Sequence, residues 1–135
     1  MTPDKAQTAT PTEIQDWLCK EDGWTYFERI YHEDPDSGWR RKNAPDEARG
    51  GYDNILDEED HPFPLTIDGA AAALPQNLRI RIEQLSDGWR GDVHLDNGEK
   101  LVSLDQVPDE ITLRYRLAVL ARLELKARGL PSLTA

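Results

Sequence analysis

Leu78-Arg79-Ile80-Arg81-Ile82-Glu83-Gln84-Leu85 decides the fold of this 135-residue chain. Leu78, Ile80, Ile82 and Gln84 alternate with Arg79, Arg81, Glu83 and Leu85, the period-two pattern of a strand with one face in a core. Ser86-Asp87-Gly88 then turns the chain, and Trp89 to Leu95 reads as a second strand. Asp96-Asn97-Gly98 is a strong hairpin signal, because Asn-Gly accepts the left-handed backbone that tight turns need. Glu99 to Leu104 supplies a third strand, so the stretch predicts a three-stranded antiparallel meander.

Downstream, Pro108 precedes a helix predicted from Asp109 to Arg128. Acidic Asp109 and Glu110 open it, Lys126 and Arg128 close it, and Gly129 and Pro131 stop it. Leu113, Leu117 and Leu120 form one stripe and are expected to face the sheet. Ile111, Tyr115, Ala118 and Leu125 fall on the opposite side at 100° per residue. A helix that is apolar all round is buried, and a three-stranded sheet covers only one of its sides. The other side is expected to be covered by upstream segments or by a second copy of the chain, with Ile111, Tyr115, Ala118 and Leu125 as the interface of a homo-oligomer.

Upstream, residues 1–9 are polar and small and are expected to fray. Thr10-Pro11-Thr12-Glu13 is a capping box that starts a short helix, with Ile14, Trp17 and Leu18 on one face and Gly23 as its end. Trp24 to His32 is rich in aromatic and β-branched residues and reads as a strand. Asp34-Pro35-Asp36-Ser37-Gly38 has turn chemistry, and Trp39 to Lys42 is expected to pair back as an N-terminal hairpin. Residues 43–66 predict an irregular acidic segment, with a helical turn around Tyr52 to Leu56 and two prolines in His61-Pro62-Phe63-Pro64. Ile67 to Leu74 reads as one short helical turn capped by Asp68 and stopped by Pro75. The expected architecture is a single α+β domain over 10–131, a small antiparallel sheet packed by a long C-terminal and a short N-terminal helix.

Charge is distributed unevenly along this chain. Residues 1–68 hold 17 acidic and 7 basic residues, while 69–135 hold 9 of each, so the whole net charge of −10 lies in the first half. Such a field suits a basic partner protein and repels nucleic acid, so no direct nucleic-acid binding is expected. Asp57-Glu58-Glu59-Asp60 is the densest acidic run and, with Glu33, Asp34 and Asp36, is the expected partner-binding surface.

Other chemistries find no motif. The phosphate loop, the dinucleotide glycine fingerprint and the nucleophile elbow are absent. One cysteine and three scattered histidines offer no local zinc spacing. Asp34-x-Asp36-x-Gly38 fails as a calcium loop, because Pro35 separates the acids and the twelfth position is Pro45. No cofactor, no metal and no catalytic residue are expected. Cys19 alone cannot form an intrachain disulfide. The start Met-Thr-Pro-Asp-Lys lacks the apolar run of a secretion signal, and the longest wholly apolar run of the last helix, Leu117 to Ala121, is far short of a membrane span. These features predict a cytoplasmic protein with no membrane partner.

In size and charge the chain is similar to small acidic binders: immunity proteins, anti-restriction and anti-CRISPR inhibitors, and secretion chaperones. The expectation is a non-catalytic inhibitor or adaptor that engages a basic, nucleic-acid-binding type of surface on another protein. The alternative is a structural or assembly subunit, or a secretion-chaperone-like adaptor, that uses the C-terminal helix as its interface.

Overall fold

The computed structural model describes residues 1–31, 34–41 and 62–129, with residues 24–31 and 34–41 described by their backbone pairing alone. The elements are α1 (Pro3–Ala6), α2 (Pro11–Glu21), β1 (Trp24–Tyr31), β2 (Asp34–Arg41), α3 (Ile67–Ala73), β3 (Leu78–Leu85), β4 (Gly88–Leu95), β5 (Lys100–Val107) and α4 (Glu110–Ala127). The fold is α+β. A three-stranded antiparallel sheet of order β3-β4-β5 carries the long C-terminal helix, and β1 and β2 form a separate antiparallel pair.

Local chemistry sets the boundaries. Asp109 caps α4, accepting hydrogen bonds from Thr112 N at 2.8 Å and Thr112 Oγ1 at 2.8 Å. Arg128 is its C-cap and Gly129 follows at φ 71°, a conformation that favours glycine. The capping box of α2 is complete: Glu13 N donates to Thr10 Oγ1 and Thr10 N donates to Glu13 Oε1, each at 3.2 Å. In the meander the expected turns hold, with Gly98 at φ 89° and Leu95 N donating to Glu99 O across the β4–β5 turn at 2.8 Å.

α4 is the middle of three layers. On its sheet side Leu113, Leu117, Ala121 and Leu125 pack with Val93, Leu101 and Val107. On its other side Tyr115, Ala118, Val119 and Leu120 pack with Ala6, Ala9, Ile14, Leu18, Cys19, Phe63, Ala70 and Ala73. The cover therefore comes from α1, α2, α3 and the Pro62–Pro64 segment of the same chain.

Several expectations are corrected by this packing. Residues 1–9 do not fray: Thr2 caps α1, and Ala6 and Ala9 are fully buried in the helix-side core. Ala118 and Tyr115 are 0% exposed within one chain, so they form no interface to a second copy, and Ile111 packs on the same helix-side core. Leu125 faces the sheet and Leu120 faces the helices, the reverse of the expected sides. The row that meets the sheet runs at i, i+4, i+8 and i+12 from Leu113, and such a row slants across the helix. Leu120, three residues beyond Leu117, falls off the other flank of that row. Thr66 and not Asp68 caps α3, because its hydroxyl lies three residues before Gly69 N and accepts from it at 3.0 Å. Asp34 to Gly38 is not a turn but part of β2, with Pro35 opposite Ile30 and Gly38 opposite Phe27. A two-stranded pair has only edge strands, which is where proline is tolerated. The expected turn around Tyr52 to Leu56 lies outside the described residues.

Truncating Leu117 to Ala should cost about 2–5 kcal/mol of unfolding free energy in a urea titration, because it opens a cavity under Gly91 where backbone and helix meet closely. Leu120→Ala should weaken the protein through the helix-side core. A Leu117→Ala variant with wild-type stability would contradict the layer assignment.

Candidate functional site

The charged side chains of the packed body are mostly committed to one another. Lys5 meets Glu13 at 2.9 Å, Arg90 meets Glu83 at 2.8 Å, and Arg114 meets Glu110 at 3.6 Å. Arg128 reaches Glu124 at 2.9 Å and Glu99 at 3.2 Å. Lys126 lies 3.9 Å from Glu21. On the solvent face of the sheet, His94 Nε2 is 2.6 Å from Asp92 Oδ1. Exposed pairs of this kind add little stability, but they match most of the body's Lys and Arg side chains with its own carboxylates. Residues 24–61, by contrast, hold 11 acidic and 5 basic residues, and 1–23 hold 5 and 2. Most of the net charge of −10 is therefore carried by the stretch between α2 and the Pro62–Pro64 segment.

Of the acidic residues expected to meet a partner, Asp34 and Asp36 stand in β2, opposite Tyr31 and Arg29 in the register. Glu33, Asp57, Glu58, Glu59 and Asp60 lie outside the described residues. The helix-face set does not gather into a surface: Tyr115, Ala118 and Leu125 are buried, the first two among helices and the third against the sheet.

The polar feature that sequence reading missed is Arg122. Its side chain is only 6% exposed. Nε donates to Ala73 O at 2.8 Å, and Nη1 donates to Asp22 Oδ1 at 3.0 Å. Ala73 ends α3 and Asp22 is the C-cap of α2, so the guanidinium sits where two helices present partial negative charge. The Phe63 ring lies 5.9 Å from its central carbon, within cation–π range. Nη2 is buried with no hydrogen-bond partner. One signal in the sequence could have marked it: Arg122 is a charge placed directly after the apolar run Leu117 to Ala121. The group ties three helices and one loop together, and its chemistry is structural.

Close by, Gln15 Nε2 donates to Phe63 O at 2.6 Å, and the Tyr115 hydroxyl donates to Pro64 O. A Cβ on Gly69 would lie 2.1 Å from that Pro64 oxygen, so glycine is required for α3 to approach this closely. Burial pushes the Tyr115 phenol above its usual range, with Cys19 adding to the effect. The Cys19 thiol is pushed from 9.0 up to about 12, by burial first and then by Asp16 and Asp22. Neither group is a poised nucleophile or base. Among the described residues no three His, Cys, Asp or Glu side chains cluster to hold a metal ion, and no helix is long and apolar enough to cross a membrane.

No protein-family model, no curated protein and no solved structure matches this chain.

The raised thiol has a consequence for alkaline stability. A group whose folded pKa exceeds its unfolded value stabilises fully below the unfolded value and loses that contribution as pH rises. Stability should therefore decline between about 9 and about 12, and a Cys19→Val variant should decline less over that window when both are unfolded in urea. Native protein should also resist thiol reagents at about pH 8, where an accessible cysteine reacts. Rapid labelling of Cys19 in the native state would contradict its placement in the core.

Proposed function

We propose that this chain is a non-catalytic acidic binding protein, an inhibitor or adaptor that engages a basic surface of a partner protein. One observation carries the reading: the packed body matches most of its cations with its own carboxylates, while the chain between α2 and the Pro62–Pro64 segment keeps 11 acidic residues against 5 basic ones. A field of one sign steers encounter with a complementary surface and rejects partners of like sign. Asp57, Glu58, Glu59 and Asp60 are its densest part, with Glu33, Asp34 and Asp36 in the same stretch. The partner is a basic protein and not a nucleic acid, whose phosphates the same field repels. An assembly role through α4 is not carried forward, because both its faces are covered by the chain itself.

The test is to capture the partner from the protein's own cells and then measure association rates at low and high salt. Replacing Asp57, Glu58, Glu59 and Asp60 together with Ser or Asn should slow association about tenfold or more at low salt, and the difference should shrink at high salt as screening sets in. The thermal melt should not change. An unaltered association rate at low salt, or direct micromolar binding to DNA in a gel shift, would overturn the reading.

A further inference from the structure

β3 and β5 are the two edges of the sheet, and they differ. The β4–β5 register shifts twice, between Trp89 and Gly91 and between Val93 and His94, and Gln106 in β5 has φ 54°. Bulges of this kind blunt an edge against further pairing. β3 has neither: all eight residues pair with β4 in unbroken register, from Leu78 opposite Leu95 to Leu85 opposite Gly88. Among the described residues no strand lies along its outer side. α4 rests on β4 and β5, so Leu78, Ile80 and Ile82 on its inner face are only half-buried. Among the described residues this edge is left open and carries an incompletely covered apolar strip.

We propose that the β3 edge pairs antiparallel with β3 of a second copy, joining two sheets into one of six strands across a two-fold axis. The charge pattern selects the register. Directly opposed residues must share a face, so the two-fold can centre only on a residue and not between two. Centring on Ile80 sets Arg79 against the partner's Arg81. Centring on Arg81 sets Arg79 against the partner's Glu83 twice but opposes the two Arg81 guanidiniums on the axis, and centring on Glu83 sets two carboxylates together. Centring on Ile82 sets Arg81 against the partner's Glu83 twice, by symmetry, and Ile82 against the partner's Ile82. Opposite charges and apolar residues facing across strands stabilise a pair, and like charges oppose it.

The neighbouring strand extends the pattern. Arg81 stands opposite Asp92 and Glu83 opposite Arg90 within one chain, and Arg90 bonds Glu83 at 2.8 Å. One row across the joined sheet then reads Asp92, Arg81, the partner's Glu83, the partner's Arg90, alternating in sign at every step. On the inner face the isoleucines of the two β3 strands become continuous. β3 also belongs to the half of the chain, residues 69–135, whose charges sum to zero. That is where two copies of a −10 protein approach with least repulsion.

Light scattering on the full chain after size exclusion tests this. Wild type is expected at about twice the 15.4 kDa chain mass. Arg81→Glu and Glu83→Arg should each halve the observed mass, since each sets like charges against each other twice, and the double variant should restore the dimer. Arg79→Glu should leave the dimer intact, because Arg79 faces the partner's Leu85 in this register. All three positions are exposed, so thermal melts should show every variant folded. A wild-type monomer at all concentrations, including one that takes a strand from a different protein at this edge, would overturn the proposal. So would a dimer indifferent to both single reversals, or a double variant that stays monomeric.

Discussion

The structure depends on covering α4 on every side. Leu113, Leu117, Ala121 and Leu125 need one apolar neighbour and Tyr115, Ala118, Val119 and Leu120 need another, and a three-stranded sheet supplies only the first. The second comes from short pieces that could not stand alone: four residues of α1, one face of α2, the alanines of α3 and Phe63. Isolated helices of these lengths are marginal in water, and they are held by the surface they cover. Arg122 fixes their ends, bonding the last residue of α3 and the C-cap of α2 from within α4. Gly69 and Tyr115 do the same for the Pro62–Pro64 segment, one by lacking a side chain and the other through its hydroxyl.

Elements governed by local chemistry were legible in the sequence. Alternation in Leu78 to Leu85 gave a strand, Asn97-Gly98 a hairpin, and Asp109 and Gly129 the ends of α4, because each rests on neighbours within a few residues. What depends on distant neighbours was not. Ala6 and Ala9 carry no periodicity that announces burial, and only the presence of α4 makes them core. The sides taken by Leu120 and Leu125 follow from the slant of the row that meets a twisted sheet, which a 100° wheel flattens. Asp34 to Gly38 has the composition of a turn, yet pairing with Phe27 to Tyr31 of β1 draws it into β2. The acids proposed for partner contact were legible as a charge imbalance alone, since charge is a sum over residues and needs no fold to be counted.

Charge and packing divide the molecule between them. The half that builds the meander and α4 is neutral and mostly paired, and it contains the regular β3 edge, along which no strand lies among the described residues. The half that carries the net charge supplies α1, α2 and Phe63 to the cover of α4, and the acid-rich stretch between α2 and Phe63, while α3 adds its alanines from the neutral half. A binding reading for the acidic half and a self-pairing reading for the β3 edge therefore rest on different stretches of the sequence.

The central claim is that this chain itself buries the far side of α4. Ala118→Glu tests it most directly, since Ala118 is 0% exposed among helices in a single chain. A carboxylate there has no room among the packed helices, and desolvating it costs several kcal/mol that the Arg122 guanidinium one turn on does not fully repay. Far-UV circular dichroism of this variant should show a lost or strongly lowered cooperative melt at every protein concentration. A variant that melts like wild type, or that merely dissociates an oligomer into folded monomers, would contradict the account.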